Sequence, residues 1–204
     1  MNKIYLAAPF IADKRFYRYL SPESRERLER IKASRARALS LSAELLAHVL
    51  ICDELGVKNT SLEFARTDKG KPYLLNYPQL HFSLSHTEGM VVAAISDKSV
   101  GIDIEHRDRA INENVLRRIC SEQEASEICK GHSPIEIWTR KEALIKREGG
   151  LFQPIPTLDT VRDDIHTWTL DSYVVSACGE GIFATPVTLS IEQFDRLITN
   201  IADF

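Results

Sequence analysis

Asp103 and Glu105 stand two positions apart in V-G-I-D-I-E (100–105), and Glu142 and Lys146 stand four apart in W-T-R-K-E-A-L-I-K (138–146). Alternation along a strand puts Asp103 and Glu105 on one face. The i,i+4 rule puts Glu142 and Lys146 on one face of a helix, with Trp138 beside them. Three carboxylates and a lysine on two rigid elements suit a divalent cation and a phosphate. Adjacent ionised carboxylates repel, and a bound cation relieves that repulsion. Oxygen-only ligands favour Mg²⁺, or Mn²⁺, over zinc.

Each pair alone also has a plain reading. D-x-E fits an edge strand whose polar face meets water, and a Glu–Lys pair is a common helix-surface feature contributing about 0.2–0.5 kcal/mol. Ser85 and His86 are not a nucleophile and its base, because neighbouring strand residues point to opposite faces and no G-x-S-x-G elbow is present. They suit hydrogen bonds to phosphates instead. Gly70-Lys71-Pro72 reads as a rigid turn with a lysine at its tip. Lys141 points away from Glu142 and reads as structural or solvent-facing. His48, His81, His106, His132 and His166 show no metal-ligand spacing.

The elements that must carry these residues follow in an order that nearly repeats. A strand over 3–7 precedes a polar helix opened by Ser21-Pro22, an N-cap and N1 pair. A second helix, with Leu45, Leu46, Val49 and Leu50 on its buried side, ends at Gly56. Strands follow over 80–85 and 90–96. The second half repeats the pattern: a strand over 100–105, a helix capped by the box Ser121/Glu124, and a helix over 135–147 ending at Gly149-Gly150. A hairpin over 168–177 turns at Asp171-Ser172. The expected fold is α+β: two similar halves, 1–98 and 99–204, related by a pseudo-twofold axis and packed into one unit. The cleft between them is the natural ligand site.

At 204 residues, 44% hydrophobic and 27% charged, the composition is that of a globular domain with a proper core. The start M-N-K-I-Y-L-A-A-P-F does not read as a secretory signal, and no run approaches the ~20 apolar residues of a membrane helix. Cys52, Cys120, Cys129 and Cys178 form no C-x-x-C, so reduced thiols in a cytoplasm are expected. The net charge of −3 hides a basic segment over 13–37, with nine Lys/Arg against four acids. Its interleaved signs suit a solvated helix face, while a polyanion-binding surface is the functional alternative.

In this order and at these spacings, G-K-P, F-S-L-S-H, G-I-D-I-E and W-T-R-K-E-A-L-I-K resemble the 4′-phosphopantetheinyl transferases of the Sfp type. The match runs from Ser21 to Phe152. The resemblance implies transfer of 4′-phosphopantetheine from coenzyme A to a serine of an apo acyl, peptidyl or aryl carrier protein, releasing 3′,5′-ADP. It implies Asp103, Glu105 and Glu142 as Mg²⁺ ligands, Glu142 and Lys146 as catalytic groups, and Lys71, Ser85, His86 and Lys146 at the coenzyme's phosphates. Glu124 matches a further acidic position of the family. The family usually carries an arginine just before a small hydroxyl residue at the start of the second helix, to hold the 3′-phosphate. Leu39 precedes Ser40 here, and Arg35 or Arg37 is the expected substitute. A monomer acting in the cytoplasm, with neither nucleic acid nor membrane as partner, completes the expectation. The alternatives are a catalytically silent binder of coenzyme A or carrier protein, and a Mg²⁺-dependent phosphodiesterase or nuclease.

Overall fold

The computed structural model describes residues 2–10, 13–150 and 154–201; Phe152, where the matched span ends, lies outside them. In chain order the elements are β1 (Asn2–Ala7), α1 (Pro22–Glu29), α2 (Ser34–Leu55), β2 (Phe64–Arg66), β3 (Pro72–Leu74), β4 (His81–Thr87), β5 (Met90–Ser96) and β6 (Val100–His106). There follow α3 (Glu113–Ile119), α4 (Glu122–Cys129), α5 (Pro134–Arg147), β7 (Ile165–Leu170), β8 (Tyr173–Gly179), β9 (Val187–Leu189) and α6 (Ile191–Ile201). The fold is α+β. Among the described residues no helix is long and apolar enough to cross a membrane.

One sheet has the order β4-β5-β1-β9, and another β6-β8-β7. In each, a hairpin (β4–β5 or β7–β8) pairs antiparallel, through its second strand, with the strand that opens the half (β1 or β6). A long helix lies between opening strand and hairpin in chain order: α2 in the first case, α5 in the second. Both hairpins close on two residues, Glu88-Gly89 and Asp171-Ser172. The left-handed backbone each turn needs falls on Gly89 (φ 81°) and Asp171 (φ 52°), residue types that tolerate it.

The end of the chain departs from a simple two-half division. β9 pairs in parallel with β1, and α6 packs on α2, so the C-terminal segment completes the first sheet's layer. This also explains α2, which was expected to bury one side but is buried all round from Leu41 to Cys52. Sheet strands cover one face, while α1 and α6 cover others.

β6 and β4 are both edge strands and lie alongside each other. Hydroxyls at alternate positions of β4 make the connections. Ser83 Oγ accepts from Ile102 N at 3.1 Å, Ser85 Oγ donates to Asp103 Oδ1 at 2.7 Å, and Thr87 Oγ1 donates to Glu105 Oε2 at 3.0 Å. The period of two places all three hydroxyls on one face.

α5 lies on β6 and β8. Gly101 makes the approach possible, since a Cβ there would sit 1.9 Å from the carbonyl oxygen of Ala143. Lys141, expected to be structural or solvent-facing, is structural. It is 2% exposed and its ammonium bonds Glu124 (2.7 Å) and the carbonyls of Ile155 and Leu158. Glu124, itself fully buried, closes the capping box of α4 with Ser121 and accepts from Thr160. One ion pair thus ties α4, α5 and the 155–160 segment together.

Candidate active site

Asp103 and Glu105 project from β6, Trp138, Glu142 and Lys146 from α5, and Ser85 and His86 from β4; all line one open cleft. Lys146 Nζ lies 2.7 Å from Asp103 Oδ1 and 2.7 Å from Ser85 Oγ, joining the three elements. Asp103 is almost wholly buried, and its second oxygen, Oδ2, has no hydrogen-bond partner. Such a buried, unsatisfied carboxylate oxygen is costly unless something else binds it. Glu105 gives one oxygen to Thr87 and the other to Arg109. Glu142 forms no ion pair among the described residues.

The electrostatics follow from this crowding. Burial, and then the Asp103 charge, raise the carboxyl pKa of both Glu142 and Glu105 above the ordinary glutamate value; Lys146 and Arg109 offset part of the effect. Burial, reinforced by Lys146, lowers the pKa of His86, so its imidazole stays neutral at neutral pH. Its Nε2 lies 3.3 Å from Ser40 Oγ. Among the described residues no three His, Cys, Asp or Glu groups converge closely enough to form a ready-made metal cage. Two of the three carboxylates instead hold an internal cation, Lys146 on Asp103 and Arg109 on Glu105.

A second depression runs on from the first, sharing Leu84, His86 and Lys146 with it. Arg27, Ser40, Arg66, Lys69, Lys71 and the Gly149-Gly150 corner line it, which makes it strongly basic. Glu44, 4% exposed, takes Arg27 (2.6 Å) and Arg66 (2.9 Å) on one oxygen and so orients both guanidinium groups. Lys71 is not a free lysine at a turn tip. Its ammonium reaches inward to the carbonyls of Val100 (3.2 Å) and Arg147 (2.7 Å), the latter at the C-terminal end of α5. A carbonyl at a helix C-terminus lacks a helical partner and attracts a cation. Burial lowers the Lys71 pKa accordingly.

Arg35 and Arg37, expected at a 3′-phosphate, line neither depression. Arg35 pairs with Glu88 on the surface at 2.5 Å, and Arg37 donates twice to the carbonyl of Ile31. Ser83, Thr87, Glu44, Arg66 and Lys69 are site residues that the sequence does not single out, and Arg109, which the sequence offers only as a possible carrier contact, lies at the cleft. The alternating hydroxyls of S-L-S-H-T were a visible signal for the first two. Lys69 and Arg109 stand close in sequence to Lys71 and Glu105, whereas Glu44 and Arg66 come from distant parts of the chain and carry no local pattern.

Residues 13–98 match the family model described as 4′-phosphopantetheinyl transferase, N-terminal, and residues 99–185 match that of the 4′-phosphopantetheinyl transferase superfamily. The chain is 28% identical to 4′-phosphopantetheinyl transferase Sfp of Bacillus subtilis (strain 168) over 161 residues, 74% of this chain and 71% of that protein. It is 29% identical to 4′-phosphopantetheinyl transferase gsp of Aneurinibacillus migulanus over 168 residues, 76% and 69% of the two. Over a shorter stretch of 97 residues, 45% of this chain and 32% of the relative, it is 32% identical to L-aminoadipate-semialdehyde dehydrogenase-phosphopantetheinyl transferase of Xenopus laevis. The two family matches meet at 98/99 without a gap and together span residues 13–185: the chain belongs to the 4′-phosphopantetheinyl transferase superfamily.

Proposed function

We infer that the protein transfers the 4′-phosphopantetheine of coenzyme A to a serine hydroxyl of an apo carrier protein. The observation that carries this reading is the junction at Lys146. There a cleft lined by Asp103, Glu105 and Glu142 runs into one lined by Arg27, Arg66, Lys69 and Lys71. The second cleft suits the phosphates of coenzyme A, and the first suits the pyrophosphate together with its cation.

The residues present fit Mg²⁺, with Mn²⁺ as the alternative. Asp103 Oδ2 is a buried oxygen without a partner, and burial, followed by the Asp103 charge, raises the pKa of both Glu105 and Glu142. Asp103, Glu105 and Glu142 would hold the ion. Bound there, it would offset the charge of the pyrophosphate and of the leaving phosphate.

The protein's own groups divide the remaining work. His86, Ser85, Lys146 and the basic cleft bind and orient the coenzyme's phosphates. Glu142, open to the cleft and without an ion-pair partner among the described residues, takes the proton of the carrier's serine hydroxyl as that oxygen attacks the β-phosphorus. The new phosphorus–oxygen bond forms on the carrier, the pyrophosphate bond breaks, and 3′,5′-ADP leaves with its charge met by Lys146. The protein acts as a monomer in the cytoplasm on an acyl, peptidyl or aryl carrier.

Intact mass spectrometry tests this reading on apo acyl and apo peptidyl carrier proteins incubated with the protein, coenzyme A and Mg²⁺. A gain of one phosphopantetheine, lost with EDTA, is the expected result. Coenzyme A bound without transfer to either carrier would indicate a silent relative. Cleavage of nucleic acid in place of transfer would return the phosphodiesterase reading.

A further inference from the structure

We propose that Arg109 is a built-in competitor for the metal site: it occupies Glu105 and opposes the charge of an incoming cation. The inference rests on the functional reading above, because it concerns the cation expected at Asp103, Glu105 and Glu142.

The placement of Arg109 is specific. The chain leaves β6 at His106 and folds straight back, Arg109 N bonding the carbonyl of His106 at 3.0 Å, while Arg107 N bonds the carbonyl of Ser172 at 2.8 Å. His106 packs edge-on against Tyr173 at 5.5 Å between ring centroids. This turn returns the Arg109 side chain over the strand it has just left. Its guanidinium donates to Glu105 Oε1 and lies 5.5 Å from the ring of Trp138, a residue of the same cleft. Both ends of the arginine contact are thus site residues, one a carboxylate and one an aromatic face, and the two attractions act together.

The charges of the cleft give this contact its consequence. Asp103 holds Lys146 and still has one oxygen to offer; Glu142 has no ion-pair partner among the described residues. Glu105 has both oxygens engaged, by Thr87 and by Arg109. Thr87 is a neutral donor that can stay while the same carboxylate binds a cation. A guanidinium on Oε1 opposes a cation on the same carboxylate, because the two positive charges repel. Arg109 is half-exposed and its pair with Glu105 is only partly buried, so displacement is affordable. The arginine therefore sets the affinity for the cation. It also leaves one carboxylate of the metal-free site, in place of two, without an ion-pair partner among the described residues, Lys146 already meeting Asp103.

The test is Mn²⁺ binding to the full chain, read from the electron paramagnetic resonance signal of free Mn²⁺. Arg109→Gln is expected to bind Mn²⁺ roughly two- to fivefold tighter than the unmodified protein, the range of a partly exposed ion pair. Arg107→Gln removes the same charge from the same loop without touching Glu105, and should move the affinity much less. In a Glu105→Gln background, Arg109→Gln should have no further effect.

Equal tightening by the Arg107 and Arg109 substitutions would overturn the proposal in favour of a general charge effect. Weaker Mn²⁺ binding by Arg109→Gln would overturn it as well, by making the arginine a supporter of the site. Absence of Mn²⁺ uptake in every variant, with metal-dependent transfer still seen by mass spectrometry, would sink this inference alone. Absence of both would sink the functional reading with it.

Discussion

Lys146 and Asp103, from a helix and a strand far apart in the chain, are joined by an ion pair of 2.7 Å, and Ser85 bonds to both. The contact holds α5, β6 and β4 in register at the point where the two depressions meet. Asp103→Asn keeps the shape and removes the charge. Transfer should fall by about 10²–10³-fold, the scale of a lost electrostatic group in an active site. The far-ultraviolet circular dichroism should stay unchanged. Full turnover by this variant would remove Asp103 from the site.

Glu142 links the site to stability through its raised pKa. The folded, metal-free protein holds this proton more tightly than the unfolded chain. Stability therefore falls as pH climbs from the ordinary glutamate value of 4.5 through the raised one. Glu105 acts in the same direction. Glu142→Gln should then melt a few degrees higher than the unmodified protein at neutral pH without metal, about 2–4 °C for each kcal/mol, while losing transfer. Mg²⁺ should raise the melting temperature of the unmodified protein more at pH 7.5 than at pH 4.5. A lower melting temperature for Glu142→Gln at neutral pH would contradict the linkage.

The Lys141–Glu124 pair is buried at both ends and fully hydrogen-bonded. Lys141→Met leaves the Glu124 charge without its partner, and urea unfolding should show a loss of about 3–5 kcal/mol. Adding Glu124→Leu should restore part of it, since an apolar pair removes the stranded charge. Additive losses in the double variant would show that the pair has no joint role.

Gly101→Ala places a methyl group against the backbone of α5 at Ala143 and Arg147. No side-chain rotation relieves that clash, so the helix must move away from β6. A loss of at least about 1–3 kcal/mol is expected by urea unfolding. Transfer should fall more than stability predicts, because Glu142 and Lys146 move away from Asp103. An alanine variant with unchanged rate would mean that the approach tolerates more than the backbone geometry allows.

Arg27→Ala and Arg66→Ala should raise the KM for coenzyme A several-fold with little change in kcat, since both line the basic cleft. Arg35→Ala should leave KM unchanged, its surface pair with Glu88 contributing at most about 1 kcal/mol to stability. Steady-state kinetics on the three variants separates them. The reverse ranking would move the nucleotide end of the ligand toward the start of α2.

The local chemistry of this protein was legible in its residues. Period-two and i,i+4 spacing put Asp103 with Glu105, and Glu142 with Lys146, because side-chain direction follows directly from strand and helix geometry. The Ser121/Glu124 capping box, the helix stop at Gly56 and the Asp171-Ser172 turn were legible for the same reason, each being settled by a few neighbouring residues. Tertiary structure alone decided what meets across the chain. Lys71 was expected at a turn tip, yet the carbonyls of Arg147, at the end of α5, and of Val100 draw it inward. Arg27 and Arg66 reach the basic cleft because buried Glu44 orients them, while Arg35 and Arg37 find nearer partners. Lys141 is buried because Glu124 waits on a different helix. Charged side chains are long, and their partners are chosen by proximity in space, which sequence spacing does not encode.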